Sequence, residues 1–472
     1  MSQFNPVTLE LIEKLKKVIG EKNVQTDPSI LDAYKTDEEG NPVWFRLPEV
    51  VVFPGATEEV ASIVKLANEY KVPITPRSAG TSVAGGDIPV YHGIVMVMTR
   101  MNKIIKIDKE NLYAIVQPGV LTSEVQQAAK DKDLIYAGDP CSATSCMIGG
   151  NVCTNAGGDH AVKYGVTRNQ IYGMEWVTPT GEITRVGQRL QKCSSGYCME
   201  QLICGAEGTL GIITEITLKL QPKPKYRADL VAVFKDDEAA LKMPNKLRLA
   251  GIEVTCMEWM DYEAIKLTGQ FIKAALPHAE SKCSYVITAV ETFNEEMLDD
   301  EMMNIDDVAR QCGAFDVLVI KEDSTVWQAR KAYAEAAREA CLSYYAEDYV
   351  VPLDKINDLM EFLPQAEKDS GIRTMNVAHI GDGNIHTDLM NYDNLPAQEW
   401  FDKVEAFHDI VYPKVYELGG RMSGEHGIGF KKVDSFKKYT NPVLRNAMMQ
   451  IKRALDPNNI MNPGKIFDID KG

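Results

Sequence analysis

Two histidines flank an Asp-Gly dipeptide in the run from Ala378 to His386, and Ser423-Gly424-Glu425-His426-Gly427 follows further along the chain. Asp-Gly favours a two-residue turn between strands. Counting outward from Asp382-Gly383 sets Gly381 opposite Asn384, Ile380 opposite Ile385 and His379 opposite His386. Directly opposed residues have Cβ atoms ~4.5–5.5 Å apart, close enough for both imidazoles to reach one metal ion. Glu425 can add a hard oxygen ligand, which leaves His426 beside the ion as a free base. The plainer alternative is a cross-strand histidine pair, with Glu425 paired to a neighbour such as Arg421. Two imidazoles, one carboxylate and open positions suit Zn²⁺. The same set is the facial triad used for Fe²⁺, and Zn²⁺ is narrowly preferred.

The chain that carries these residues has 472 of them, a length that suggests two or three domains with ample cores. Its 45% apolar and 25% charged content are ordinary for a soluble globular protein. The 67 acidic against 51 basic residues give a net charge of −16, which disfavours nucleic acid and anionic membrane surfaces as partners. No apolar run approaches the ~18 residues of a spanning helix. Asn5-Pro6 followed by Val7 through Ile19 reads as a capped amphipathic helix rather than a signal peptide, so a cytoplasmic location is expected. Ten cysteines imply free thiols in a reducing compartment rather than a disulfide scaffold. Six of them, from Cys141 to Cys204, contain no Cys-x2-Cys pair and match neither ferredoxin spacing. Buried thiols are therefore expected there rather than an iron–sulfur site.

Glycine punctuates the first half of the chain. Val50 to Phe53 reads as a strand, Thr57 as an N-cap, and Val60, Ile63, Val64 and Ala67 as a buried helical stripe. Extended structure resumes over Val72 to Pro76, followed by the loop from Arg77 to Gly86. Successive glycines let backbone N–H groups approach an anion closely, and Ser78, Thr81 and Ser82 can add hydroxyl donors. The loop is neither G-x-G-x-x-G nor a P-loop, so a nicotinamide or triphosphate site is not supported. A second glycine stretch runs from Ile148-Gly149-Gly150 through Asn155-Ala156-Gly157-Gly158 to Gly165. A third is Gly205-Ala206-Glu207-Gly208-Thr209-Leu210-Gly211. Three such loops, each beside apolar strands, suit a ligand as long as a dinucleotide.

These loops, taken with Asp139-Pro140-Cys141-Ser142, resemble the FAD-binding domain of the vanillyl-alcohol oxidase/p-cresol methylhydroxylase superfamily. Their order, with His379 to His386 and Gly424-Glu425-His426-Gly427 downstream, resembles the FAD-linked D-lactate dehydrogenase and glycolate oxidase D-subunit family. The resemblance extends from about residue 45 to Asn462-Pro463-Gly464-Lys465. It implies an α+β protein: a PCMH-type FAD-binding domain of two α+β subdomains, an α+β cap with an antiparallel sheet, and a C-terminal helical return. The corresponding bounds are 1–222, 223–420 and 421–472, with Pro222-Lys223-Pro224-Lys225 as an extended connector. Matching residues for FAD are Arg77, Ser78, Ala79, Gly80, Thr81 and Ser82 in the first loop. Gly149, Gly150, Asn155 and Gly158 match in the second, and Ile213 follows the third. The loop 77–86 lacks the histidine of the histidyl-FAD members, which implies non-covalent FAD.

The implied reaction is oxidation of a D-2-hydroxy acid, D-lactate foremost, to the 2-oxo acid. It removes a proton from oxygen and passes a hydride from C2 to flavin N5. An ion held by His379, His386 and Glu425 stabilises the developing alkoxide, and neutral His426 takes the proton. Arg330 can clamp the carboxylate, although its charged surroundings also allow a solvated helix face. Asn384 can hydrogen-bond the same carboxylate or an oxygen on the ion. The chain carries no iron–sulfur or nicotinamide signature of its own. Electrons are therefore expected to leave to a partner, an electron-transferring flavoprotein or an iron–sulfur subunit, in a hetero-complex or from a homodimer. Alternatives are a glycolate or D-2-hydroxyglutarate dehydrogenase, a sugar or lactone oxidase of the same superfamily, and a non-catalytic electron-relay subunit.

Overall fold

The computed structural model describes residues 4–468, which divide into two compact units. The first is assembled from residues up to Ala156, Val166–Lys223 and the segment from Glu425 onward. The second comprises Gly157–Gly165 and Pro224–Gly424.

The first unit holds two α+β layers. Val50–Val52, Ile94–Val97 and Ile74–Arg77 form a parallel sheet, with Val24–Gln25 added antiparallel at one edge. Val50–Val52 and Ile94–Val97 read as unbroken apolar runs and are buried throughout, as strands covered on both faces are. Helix Thr57–Tyr70 connects the outer two, burying Val60, Ile63, Val64 and Ala67 as the 3.6-residue period requires. Helix Leu9–Ile19 buries Leu11, Leu15 and Ile19 in the same core. It starts two residues later than the sequence suggests, capped by the Thr8 hydroxyl rather than by Asn5. Thr57 likewise is not the N-cap: Ala56 occupies that position, and the Thr57 hydroxyl donates to Glu175 Oε1 at 2.7 Å. The second layer is a five-stranded antiparallel sheet in the order Ile104–Asp108, Tyr113–Val116, Ile212–Lys219, Ile171–Val177, Ile183–Gly187.

The second unit is built on one seven-stranded antiparallel sheet with helices packed against it. In chain order its strands are β1 Tyr226–Phe234, β2 Cys256–Met260, β3 Ser284–Thr292, β4 Asp316–Ile320, β5 Tyr344–Val350, β6 Arg373–His379 and β7 Asn384–Met390. Their spatial order is β4-β1-β3-β2-β6-β7-β5. Strands β2 and β7 are buried along their whole length. Polar side chains on them therefore need partners inside the protein.

Among the described residues the cysteines form no disulfide, but Cys141, Cys193 and Cys198 are exposed, against the expectation of buried thiols. Short polar loops around 141 and 193–198 leave them no core to enter. Among the described residues, no helix is long and apolar enough to cross a membrane.

Candidate active site

In the first unit the three glycine loops converge. Gly150 lies against Ser78, its pro-Cβ position 3.6 Å from Ser78 Cβ. The Gly205 amide donates to Val152 O at 2.9 Å, and the Glu207 amide to Cys153 O at 2.8 Å, which joins the third loop to the second. The Asn462 amide nitrogen closes the ring, donating to Gly86 O at 2.9 Å and Glu207 O at 2.8 Å. Asn462 carries no glycine signature, and only its place in Asn462-Pro463-Gly464-Lys465 marked it. Gly80 has a left-handed backbone, with φ of 85°, and packs directly on the Arg77 guanidinium. That guanidinium pairs with Asp87 Oδ2 at 3.0 Å and donates to Thr36 O at 2.8 Å, so it braces the loop from within. Gly149 answers to packing as well: a Cβ there would meet Pro118 Cβ at 2.6 Å. Asn155 closes helix Ile148–Thr154 in the left-handed conformation, and its Oδ1 accepts from the Arg168 amide at 2.9 Å. Ile213 pairs with Trp176, and the ladder bulges immediately after it. Gly158 falls in the second unit, because Lys163 and Tyr164 of its segment bond Glu291.

Burial raises the Glu207 carboxyl, a shift opposed by the amides of Ile428 and Gly429, which donate at 2.8 and 2.7 Å. The backbone just after His426 is thereby fixed within the first unit.

The second unit contains the histidine pair. The β6–β7 connection is a four-residue turn over 380–383, with Gly383 at φ of 89°. The register differs from the two-residue expectation: His379 faces Asn384, and Val377 faces His386. Asp382 and Gly383 amides both donate to His379 O, which widens the turn. His379 and His386 are therefore diagonal neighbours on one face, a separation long side chains still bridge. Both are buried, with ring centroids 5.1 Å apart and planes at 86°.

Three carboxylates surround them that the sequence reading did not single out. Glu258 on β2 is the direct cross-strand partner of His379. Its Oε1 lies 2.7 Å from His379 Nδ1. Its Oε2 accepts from Arg330 Nη2 at 2.6 Å and Nε at 3.0 Å. Burial alone would raise the Glu258 carboxyl, but His379 and Arg330 hold it below the usual carboxylate value. Arg330, on helix Thr325–Lys331, is thus buried on an ion pair and does not lie on a solvated helix face. Asp159 Oδ1 lies 3.7 Å from His379 Nδ1. Asp348 on β5 faces His386, its Oδ1 3.9 Å from His386 Nδ1.

Asn384 donates through Nδ2 to Asp348 Oδ1 at 2.6 Å and to Tyr349 O at 2.9 Å. Both amide protons are therefore spent within the protein, and the side chain meets any ligand only as an acceptor. Asp348 Oδ2 takes the Ser423 hydroxyl at 2.7 Å and the Gly424 amide at 3.0 Å. A Cβ at Gly424 would sit 2.5 Å from Asn384 Nδ2, so glycine is required just before Glu425. Glu425 and His426 themselves open the segment that belongs to the first unit. Within the second unit, ligand atoms of His386 and Asp348 lie within 4.8 Å of each other, as do those of His379 and Asp159; each imidazole–carboxylate pair is of the kind a divalent ion takes.

Residues 48–187 match the FAD binding domain family, and residues 223–466 match the family described as FAD linked oxidases, C-terminal domain. The chain is 38% identical to a D-lactate dehydrogenase of Anaerostipes hadrus, over 98% of each chain. It is 33% identical to a glycolate oxidase subunit of Bacillus subtilis, again over 98% of each. Among solved structures, p-cresol methylhydroxylase with substrate bound superposes with a TM-score of 0.84 at 20% identity, covering 98% of both chains, a likeness of fold. This chain is a member of the FAD-linked oxidase family, an FAD-linked oxidoreductase with the α+β architecture of the p-cresol methylhydroxylase type.

Proposed function

We propose that this protein oxidises a short D-2-hydroxy acid, D-lactate foremost, to the 2-oxo acid, and passes the electrons to a separate protein. The observation that carries the proposal is the buried pair His379 and His386, 5.1 Å apart on one sheet face and buttressed by Glu258 and Asp348. A histidine pair with no function beyond packing has no need of two buried carboxylates, each of which costs desolvation.

In this reading FAD would be held without a covalent link and would supply the hydride acceptor for oxidation at C2. The donors assigned to it are the backbone of Arg77 to Ser82 and the hydroxyls of Ser78, Thr81 and Ser82. Gly149, Gly150, Asn155, Gly158 and Ile213 complete that assignment. His379, His386 and Glu425 would hold a divalent ion, Zn²⁺ before Fe²⁺, which would supply Lewis acidity toward the substrate hydroxyl. His426 receives the hydroxyl proton. Arg330 orients the substrate carboxylate with a guanidinium plane that Glu258 fixes. Asn384 acts through Asp348, which it holds in place, and offers only its oxygen to a bound hydroxyl.

A short acid suits a site with one assigned cation, whereas a dicarboxylate such as 2-hydroxyglutarate calls for a second. The D-lactate dehydrogenase and glycolate oxidase relatives favour the same small-acid class. An electron-transferring flavoprotein or an iron–sulfur subunit is the proposed acceptor. Anaerobic titration of the FAD-loaded protein with D- and L-lactate, glycolate and D-2-hydroxyglutarate tests the substrate reading. Bleaching of the flavin by D-lactate at the lowest concentration supports it; bleaching by none of the four refutes it.

A further inference from the structure

Strand β2 reads Cys256-Met257-Glu258-Trp259-Met260, four apolar residues around one carboxylate with no exposed surface. A buried glutamate at the centre of a sheet is retained only where its partners need it. Its two oxygens divide the work. Oε1 meets one ring nitrogen of His379, and Oε2 takes two N–H groups of Arg330.

We propose that Glu258 is the positioning residue of this site, setting the tautomer of His379 and the plane of Arg330 through one carboxylate. The inference rests on the reading of His379 as a metal ligand. A carboxylate that accepts from Nδ1–H leaves the Nε2 lone pair for an ion, and such a partner also raises the basicity of the ligand. Asp159, 3.7 Å from the same Nδ1, adds a second negative charge on that side of the ring and favours the same tautomer. On the other oxygen, bonds from both Nε and Nη2 fix the guanidinium in rotation as well as position. The two groups assigned to ion and substrate are thus held by one anion, although His379 and Arg330 lie on different elements.

Glu258→Gln separates this role from mere charge balance, because an amide cannot serve both partners. With its oxygen toward His379, its NH₂ confronts the guanidinium, donor against donor. Turned the other way, its NH₂ donates to Nδ1 and places the imidazole proton on Nε2, where the ion binds. The FAD-loaded protein is titrated with Zn²⁺ in competition with a chromogenic chelator. The expected result is a ~10–100-fold loss of Zn²⁺ affinity, the range for removing an outer partner of a metal histidine, with FAD content unchanged. Asp229→Asn is the control: this buried carboxylate on β1 of the same sheet bonds Arg227 of its own strand and Trp327 of helix Thr325–Lys331, and its loss should leave Zn²⁺ affinity unchanged. Wild-type affinity in Glu258→Gln, or an equal loss in both variants, overturns the proposal.

Should Glu258→Gln fail to fold, the wild type decides the matter. In metal-free protein with ¹⁵N-labelled histidine, the signal lost in His379→Gln should report a proton on Nδ1. A proton on Nε2 overturns the role of Glu258. A wild type that takes up no Zn²⁺ overturns the metal reading instead, and the tautomer measurement then tests Glu258 alone.

Discussion

The second unit carries a histidine whose charge should be readable as stability. His408, on helix Ala397–Glu417, is buried with Nε2 2.7 Å from Glu347 Oε1 and Nδ1 3.1 Å from Glu405 Oε1. It stacks on Tyr412, whose hydroxyl donates to both Glu347 oxygens, and Tyr345 meets its edge. Burial pushes the imidazole down, but Glu347 and Glu405 outweigh it and raise His408 to about 9 from the ordinary 6.5. A histidine whose folded value lies above its unfolded one stabilises fully below pH 6.5 and loses that contribution as pH climbs through about 9. The gap of about 2.5, at ~1.36 kcal/mol for each tenfold change, corresponds to about 3 kcal/mol. Replacing the pair as a unit, His408→Phe with Glu347→Gln, avoids stranding a buried carboxylate. Urea unfolding of both proteins, followed by circular dichroism across this range, isolates the contribution because other titrating groups cancel in the difference. The stability difference between wild type and variant should shrink by about 3 kcal/mol between pH 6.5 and pH about 10. A difference that stays constant would refute the charged-histidine reasoning.

Two further outcomes follow from the proposed chemistry and the loop geometry. His426→Ala should slow anaerobic flavin reduction by ~10²–10⁴, the range for a lost general base, with FAD retained; stopped-flow absorbance checks it, and an unchanged rate reassigns the base. Gly80→Ala forces a Cβ onto the Arg77 guanidinium at positive φ, so it should cost ~1–3 kcal/mol and weaken FAD binding, read as a lower melting temperature and a lower FAD content.

The flavin-type α+β fold was legible because its signals are local. Glycine loops, a parallel-sheet run and a helical stripe each fall within a few residues, and Val60, Ile63, Val64 and Ala67 are buried as their spacing requires. The histidine pair was legible as a pair but not in register. The turn from Ile380 to Gly383 is two residues longer than Asp-Gly alone implies, because the amides of Asp382 and Gly383 both bond His379 O. The even slip kept His379 and His386 on the same face, where an odd one would have separated them. Glu258 and Asp348 were missed because strand pairing across long separations decides their neighbours, and Asp159 because it reaches His379 from a turn 220 positions earlier. The available clue was a carboxylate inside an apolar run, as in Cys256 to Met260 and Tyr344 to Val350. The His408–Glu347 pair carries no local signal, because the two residues lie 61 positions apart on different elements. Gly149 shows the converse, a motif glycine whose tight contact is to Pro118 within the protein.

The central claim is that His379 and His386 hold an ion on which oxidation of the hydroxy acid depends. Stopped-flow reduction of the flavin by D-lactate under anaerobic conditions tests it directly, with metal-loaded, chelator-stripped and His379→Ala proteins all carrying full FAD. The account predicts rapid bleaching in the first, loss of it in the second with recovery on adding Zn²⁺, and no recovery in the third. Equal rates in all three would contradict it.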